Sequence, residues 1–222
     1  MVDYRIREYD DLDYETVREL FATGMSEYMP AVCMHVLKQP WVIMLFMSTF
    51  CLLFLSSKSL LLPILAITLL LAAGRQLVGY IWFLYIERCL KEDLFNIRKT
   101  YIEGKNSCFW VVEAEEGSII GTVAVKLSEE KNEELLLKRM SVRRDYRGLG
   151  IAKALCRTVI GFARQHGCKS IVLNTLVVQH VAQKMYESVG FKKYLDFILP
   201  TLYGQLVNFT ISKYRYDFSH ET

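Results

Sequence analysis

The chain has 222 residues, enough for one sizeable domain with an appendage but not for two full domains. Its 27 basic and 24 acidic residues leave a formal charge of +3, too even a balance to create the field that drives nucleic-acid binding, so no nucleic-acid partner is expected. A hydrophobic share of 52% beside 23% charged residues means that the apolar excess is local.

The first residues, Met1 to Tyr14, are polar and rich in Asp, and do not read as a cleavable signal. Tyr4 to Tyr9 alternates like a strand. Asp10 to Asp13 then leads into a helix over Tyr14 to Met25, where Val17, Leu20, Phe21 and Met25 recur at helical spacing.

The apolar excess follows. Trp41 to Ser57 contains no charge in 17 residues, Lys58 interrupts, and Ser59 to Gly74 adds 16 more. As a helix each run reaches about 25 Å, near the thickness of a thin bilayer. Lys58 at bilayer centre would cost about 3 kcal/mol or more, whereas at a hairpin tip it meets water. A membrane-embedded helical hairpin is therefore expected over residues 41–86, with Tyr80, Trp82 and Tyr85 in an interfacial tail from Leu77 to Ile86. Spanning the bilayer and dipping into one leaflet both fit. Two buried core helices compete with this reading but leave no polar face to explain. Lys38, Arg75, Arg88 and Lys91 flank the hairpin, which by the positive-inside rule places its ends, and the catalytic domain with them, in the cytosol. Residues 1–40 and 87–222 would then form one soluble domain around the insert.

Beyond it, Glu87 to Ile102 carries a helical stripe of Cys89, Leu90, Leu94, Ile97 and Tyr101. Strands are predicted over Phe109–Glu113 and Ile119–Val125, joined by Glu115-Glu116-Gly117-Ser118, and over Glu134–Val142. A helix over Ile151–Gln165 closes at His166-Gly167. Ser170–Asn174 reads as a buried strand, Gln179–Ser188 as a helix ended by Gly190, and Phe191–Leu195 and Val207–Tyr216 as final strands. The six cysteines form no C-x-x-C pair, and neither a zinc site nor a disulfide framework is expected. Cys156 and Cys168 read as core residues without a histidine partner. His35, His166, His180 and His220 form no ligand cluster. The sequon Asn208-Phe209-Thr210 falls in a predicted strand.

The chemistry centres on Met140 to Ala154, where Arg147-Gly148-Leu149-Gly150-Ile151-Ala152 joins a strand to an amphipathic helix. Two glycines let the backbone turn tightly and aim N–H groups and a helix N-terminus at one anion, suited to a pyrophosphate. A third glycine for a dinucleotide fingerprint and a Gly-Lys-Ser/Thr for a P-loop are both missing.

This turn, together with a later helix ending Met185-Tyr186-Glu187-Ser188-Val189-Gly190-Phe191, resembles motifs A and B of the GNAT superfamily. With the apolar insert behind the first β-α unit, nearly the whole chain is similar to the camello-like, membrane-bound N-acetyltransferases, a family that includes cysteine S-conjugate and aspartate N-acetyltransferases. The resemblance implies an α/β (α+β) GNAT acyl-CoA N-acyltransferase fold: a mixed central sheet flanked by helices, with the hairpin inserted after the first β-α unit. Acetyl-CoA would be the co-substrate, with no metal. Backbone groups around Met140 and Val142 would line the pantetheine arm, and Arg147, Gly148, Leu149, Gly150, Ile151 and Ala152 would hold the pyrophosphate. Asn174 and Tyr186 would face the thioester. Gln179 stands where other members often carry Asn, and can still donate and accept hydrogen bonds. In such a sheet the first strand pairs with strands that follow the insert, so the chain crosses the membrane an even number of times.

Transfer in this superfamily is direct: a neutral amine attacks the thioester and an acid protonates the leaving thiolate. Tyr186 is the candidate acid. Glu134 is a candidate base, beside the alternatives of an ordinary strand-end glutamate and a water relay. Arg143, Arg144 and Lys153 are candidates for the 3′-phosphate, or solvated surface charges. The expected function is acetylation of the α-amine of a small molecule, such as a cysteine S-conjugate, at the endoplasmic reticulum membrane. A protein lysine acetyltransferase of the ER or Golgi and a degenerate, scaffolding GNAT protein are the alternatives. The acceptor pocket would lie near Met25 to Cys33 and Leu195 to Gln205, which carry no charge pattern that names a substrate, and the oligomeric state is not legible.

Overall fold

The computed structural model describes residues 3–128 and 133–218; His220 lies outside them. The chain divides into two units, one from Ser26 to Arg88 and the other formed by the residues up to Met25 and from Cys89 onward.

The second of these is built on a sheet. Strand β1 (Tyr4–Glu8) is followed by helix α1 (Tyr14–Ser26), and after the other unit come β2 (Cys108–Ala114), β3 (Ile119–Leu127) and β4 (Glu134–Val142). Helix α5 (Ile151–Gln165), β5 (Ser170–Leu176), α6 (His180–Val189), β6 (Lys192–Ile198), the short α7 (Leu202–Leu206) and β7 (Thr210–Asp217) complete it. Seven strands form one mixed sheet in the order β1-β2-β3-β4-β5-β7-β6. Among the described residues only β4 and β5 run parallel, with α5 as their crossover. β1 lies antiparallel to β2, so the strand before the insert pairs with one after it, as expected.

The core follows from the sequence pattern. Ile151, Leu155, Cys156, Val159 and Ala163 form the buried face of α5 and pack on Leu135 and Leu137 of β4 and Ile171 and Leu173 of β5. Burial raises the Cys156 thiol to about 12, so it behaves as an inert core side chain. All six cysteines are free. Gly190 ends α6 at φ 109°, a left-handed cap that suits glycine.

The unit from Ser26 to Arg88 is helical: α2 (Met29–Leu37), α3 (Pro40–Ser57) and most of α4 (Leu61–Lys91). Pro40 opens α3, where a missing N–H costs nothing. Lys58, where the sequence interrupts the apolar run, caps its end at φ 49°. Helices α3 and α4 are long and apolar enough to cross a membrane, and only 6% of each apolar window is buried.

Three features differ from the sequence reading. The tail Leu77–Ile86 is not a separate segment but lies within α4, which runs unbroken for 31 residues from Leu61 to Lys91. The division falls at Met25 and Ser26, so residues 26–40 go with the apolar helices rather than with the sheet. The sequon residue Asn208 sits in the turn before β7 at φ 49°, a conformation Asn tolerates, and not in a strand.

Candidate active site

β4 and β5 pair from Glu134↔Ser170 to Leu137↔Leu173, and there their ladder ends. β4 continues along β3 to Gly121↔Val142, while β5 continues along β7 to Leu176↔Ile211. The two strands diverge, and the sheet opens into a cleft at their carboxyl ends. The cause is a bulge in β4. Between Thr122 and Ala124 the β3–β4 register shifts, and opposite the shift Arg139 takes φ 54°, a left-handed conformation that costs a residue with a Cβ about 1–2 kcal/mol.

A buried polar cluster holds that conformation. Arg139 donates from both Nε and Nη2 to the carboxylate of Asp93, with Nε to Oδ2 at 2.9 Å. The Tyr101 hydroxyl donates to the same carboxylate, and Lys138 Nζ lies 3.3 Å from it. The Arg139 carbonyl accepts from Thr122 Oγ1 at 2.9 Å, and its guanidinium stacks 4.7 Å over Phe21. Burial opposes charge on Asp93, but Arg139, with Lys138 and Tyr101 adding, holds its carboxyl well below the usual carboxylate range. Burial, and then the Asp93 charge, push the Tyr101 hydroxyl far above its ordinary value. Burial likewise lowers Lys138, an effect Asp93 partly offsets. The sequence reading missed this cluster; the charged pair Lys138-Arg139 inside the apolar strand ELLLKRMSV was its one visible sign.

On β4 beyond the bulge, Met140 and Val142 border the cleft, half-buried against the core. Asn174 is the first β5 residue past the last pair, and is exposed. At the end of β4 the chain enters the glycine turn. Gly148 stands at φ 80° and Gly150 at φ 84°, and a Cβ on either would meet nothing within 4 Å. Their absent side chains leave open space rather than serving internal packing. Gly150 is the N-cap of α5, with no side-chain cap and no acidic residue in the first turn. The N–H groups of Ile151, Ala152 and Lys153 thus begin a helix whose positive end faces outward, the arrangement that takes an anion. Arg147 Nε donates to the Val142 carbonyl at 2.9 Å and closes the turn.

Tyr186 on α6 is buried, edge-on to Phe191 with ring centroids 5.7 Å apart, in the same apolar cluster as Leu137 and Leu173, the last paired residues before the cleft. Gln179 Oε1 accepts from the Leu176 N–H at 2.9 Å, so its carbonyl fixes the β5–α6 turn and leaves only its amide N–H groups for a ligand. Arg143 stacks 4.5 Å over Tyr146. A groove of about 360 Å³ runs beside α5, lined by Lys153, Arg157, Gly161, Arg164, Ser188 and Tyr216.

Glu134 is placed differently from the expectation. It opens β4 at the closed end of the β4–β5 pair, roughly 26 Å along the strand from Val142. There it is buried, accepting from Arg215 Nη2 at 2.5 Å and from Ser170 Oγ at 3.1 Å. This position ties β4, β5 and β7 together and commits the carboxylate to Arg215 and Ser170.

The cleft and turn define an acyl-CoA N-acyltransferase architecture. A family model described as "Acetyltransferase (GNAT) family" matches residues 76–191. The chain is 42% identical to "Probable N-acetyltransferase camello" of Xenopus tropicalis, over 98% of this chain and 99% of that protein. It is 35% identical to "N-acetyltransferase 8F1" of Mus musculus, again over 98% and 99%. A crystal structure of a GNAT-family acetyltransferase from Staphylococcus aureus superposes with a TM-score of 0.60 at 20% identity, covering 97% of this chain and 99% of that one, which shows the shared fold. The chain therefore belongs to the GNAT acetyltransferases, among the camello-like N-acetyltransferases.

Proposed function

We propose that this acetyltransferase uses acetyl-CoA to acetylate the α-amine of a small molecule, such as an S-substituted cysteine, while anchored in the endoplasmic reticulum membrane by the α3–α4 hairpin. The observation that carries the donor is the meeting of the β4–β5 cleft with the uncapped, glycine-shaped start of α5. When bound, acetyl-CoA supplies an activated thioester. The turn from Arg147 to Ala152 would hold its pyrophosphate, and the open edge of β4 at Met140 and Val142 would pair with the pantetheine amides. Lys153 and Arg157, on the flank of α5 next to the turn, would meet the 3′-phosphate. Asn174 and Gln179 would orient the thioester end with side-chain hydrogen bonds.

Backbone N–H groups past the bulge would stabilise the oxyanion formed when the amine attacks, and Tyr186 would donate a proton to the departing thiolate. With Glu134 committed elsewhere, the amine proton passes to water. At 18 residues α3 reaches about 27 Å, which suits the thinner ER bilayer. The cations flanking the hairpin favour a cytosolic catalytic domain.

The test is CoA release by the purified full chain in detergent, with acetyl-CoA and S-substituted cysteines, free amino acids or lysine peptides. Turnover on the cysteine conjugates is expected, and Tyr186→Phe should lower kcat about 100-fold with little change in the KM for acetyl-CoA. Turnover on peptides alone would make the chain a protein lysine acetyltransferase, and failure to bind acetyl-CoA would sink the enzymatic reading.

A further inference from the structure

The sheet-bearing unit has an apolar corner that its own core does not use. From Phe197 to Ser212 the chain carries no charged residue. Within this stretch Leu202 is 85% exposed and Leu206 57%, and Ile198 and Tyr203 are exposed beside them. The corner is ordered rather than loose. Thr201 Oγ1 accepts from the Gly204 N–H at 3.2 Å, and Phe209 N–H donates to the Gly204 carbonyl at 2.8 Å. Gly204 lies so close to the Leu199 carbonyl that a Cβ would stand 2.5 Å from it. A rigid turn thus presents its leucines outward.

The corner's place in the fold gives this meaning. The pairs Leu176↔Ile211 and Ile198↔Thr210 put it at the carboxyl end of β5, the end where the cleft opens. The chain leaves for the apolar helices from the same end: Gly24, near the close of α1, approaches Ser141 on β4 so closely that a Cβ would lie 2.8 Å from its Oγ. It returns there too, since Asp93, just past the end of α4, bonds the side chain of Arg139 on β4. Both tethers to the membrane-length helices and the charge-free corner therefore share one end of the sheet. Toward the other end Leu12 is 94% exposed, but it stands alone among Asp10, Asp11 and Asp13.

We infer that the α7 corner is a lipid-contact element: Ile198, Leu202, Tyr203 and Leu206 enter the interfacial zone of the bilayer that holds the hairpin. The inference rests on the proposed membrane anchoring. Short apolar turns with an edge tyrosine suit the boundary between headgroups and acyl chains, and the tethers hold this end of the domain within reach of it. In water the same side chains would form an exposed apolar patch.

The experiment uses the full chain reconstituted at one copy per disc in phosphatidylcholine nanodiscs, with lipid brominated on the acyl chain as a quencher. Leu202→Trp and, as control, Leu12→Trp are compared with the unaltered chain. The tryptophan added at position 202 should lose at least half of its emission in brominated discs, and the one at position 12 almost none. Equal quenching at the two positions overturns the inference, as does shielding of position 202 from aqueous iodide that appears only with two copies per disc, which would make the corner a self-association surface. A chain that fails to enter the discs would instead defeat the anchoring on which the inference stands, and because the readout is spectroscopic it does not depend on turnover.

Discussion

Replacing Asp93 by Asn removes one half of a buried ion pair and leaves the other in place. The two side chains of the Asp93–Arg139 pair keep only 8% exposure each, so the orphaned guanidinium has little access to water. Breaking such a pair from one side costs about 3–5 kcal/mol. In a chain of 222 residues each kcal/mol moves Tm by roughly 2–4 °C, which gives a fall of about 6–20 °C. The same contact holds Arg139 at φ 54° and so maintains the bulge that opens the cleft, and the KM for acetyl-CoA should rise about tenfold. The assay is thermal unfolding of the detergent-solubilised chain, followed by tryptophan fluorescence, with acetyl-CoA kinetics alongside. In Asp93→Asn/Arg139→Gly the stranded charge is gone and glycine adopts the left-handed φ without strain, so at least half of both losses should be recovered. A Tm change under about 3 °C for Asp93→Asn, or a double variant no better than the single one, would refute the reasoning. A pH dependence follows from the same pair. The folded value of the Asp93 carboxyl lies below its unfolded value of about 3.9, so its contribution to stability is complete above about pH 5 and is lost as the pH falls through 4 and lower. Asp93→Asn should lack that part of the acid sensitivity.

Gly150→Glu puts a carboxylate where the pyrophosphate is proposed to sit and gives a Cβ to a residue at φ 84°. Titration calorimetry with CoA should show affinity lowered more than tenfold, with a stability cost of only about 1–2 kcal/mol. Gly161→Ala should raise Tm by about 2–4 °C, because Gly161 lies inside α5 with open space where its Cβ would point and Ala gains about 1 kcal/mol in a helix. Glu134→Gln should lower stability by weakening the tie to Arg215, yet leave the shape of the pH–rate profile for kcat unchanged; loss of the acidic limb from that profile would restore Glu134 as the general base.

The order of elements was legible in the sequence wherever one periodicity ran unbroken. The strand Glu134–Val142 and the helix Ile151–Gln165 fall where apolar spacing puts them, and Lys58 falls in the break between α3 and α4, where the charge interrupts the apolar run. The glycine turn was equally visible, since a positive φ next to a helix N-terminus admits few residues other than glycine. Local pattern could not say where a strand stops pairing. The β4–β5 ladder ends at Leu137↔Leu173 because Arg139 bulges, and Arg139 bulges against an Asp93 that lies 46 residues earlier, a contact that only tertiary packing creates. The same limit explains Glu134. Its residue type and its strand suited a general base, but the sheet order brings Arg215 of β7 beside β5 and β4, and that pairing turns the carboxylate into a structural tie at the end of the sheet away from the cleft.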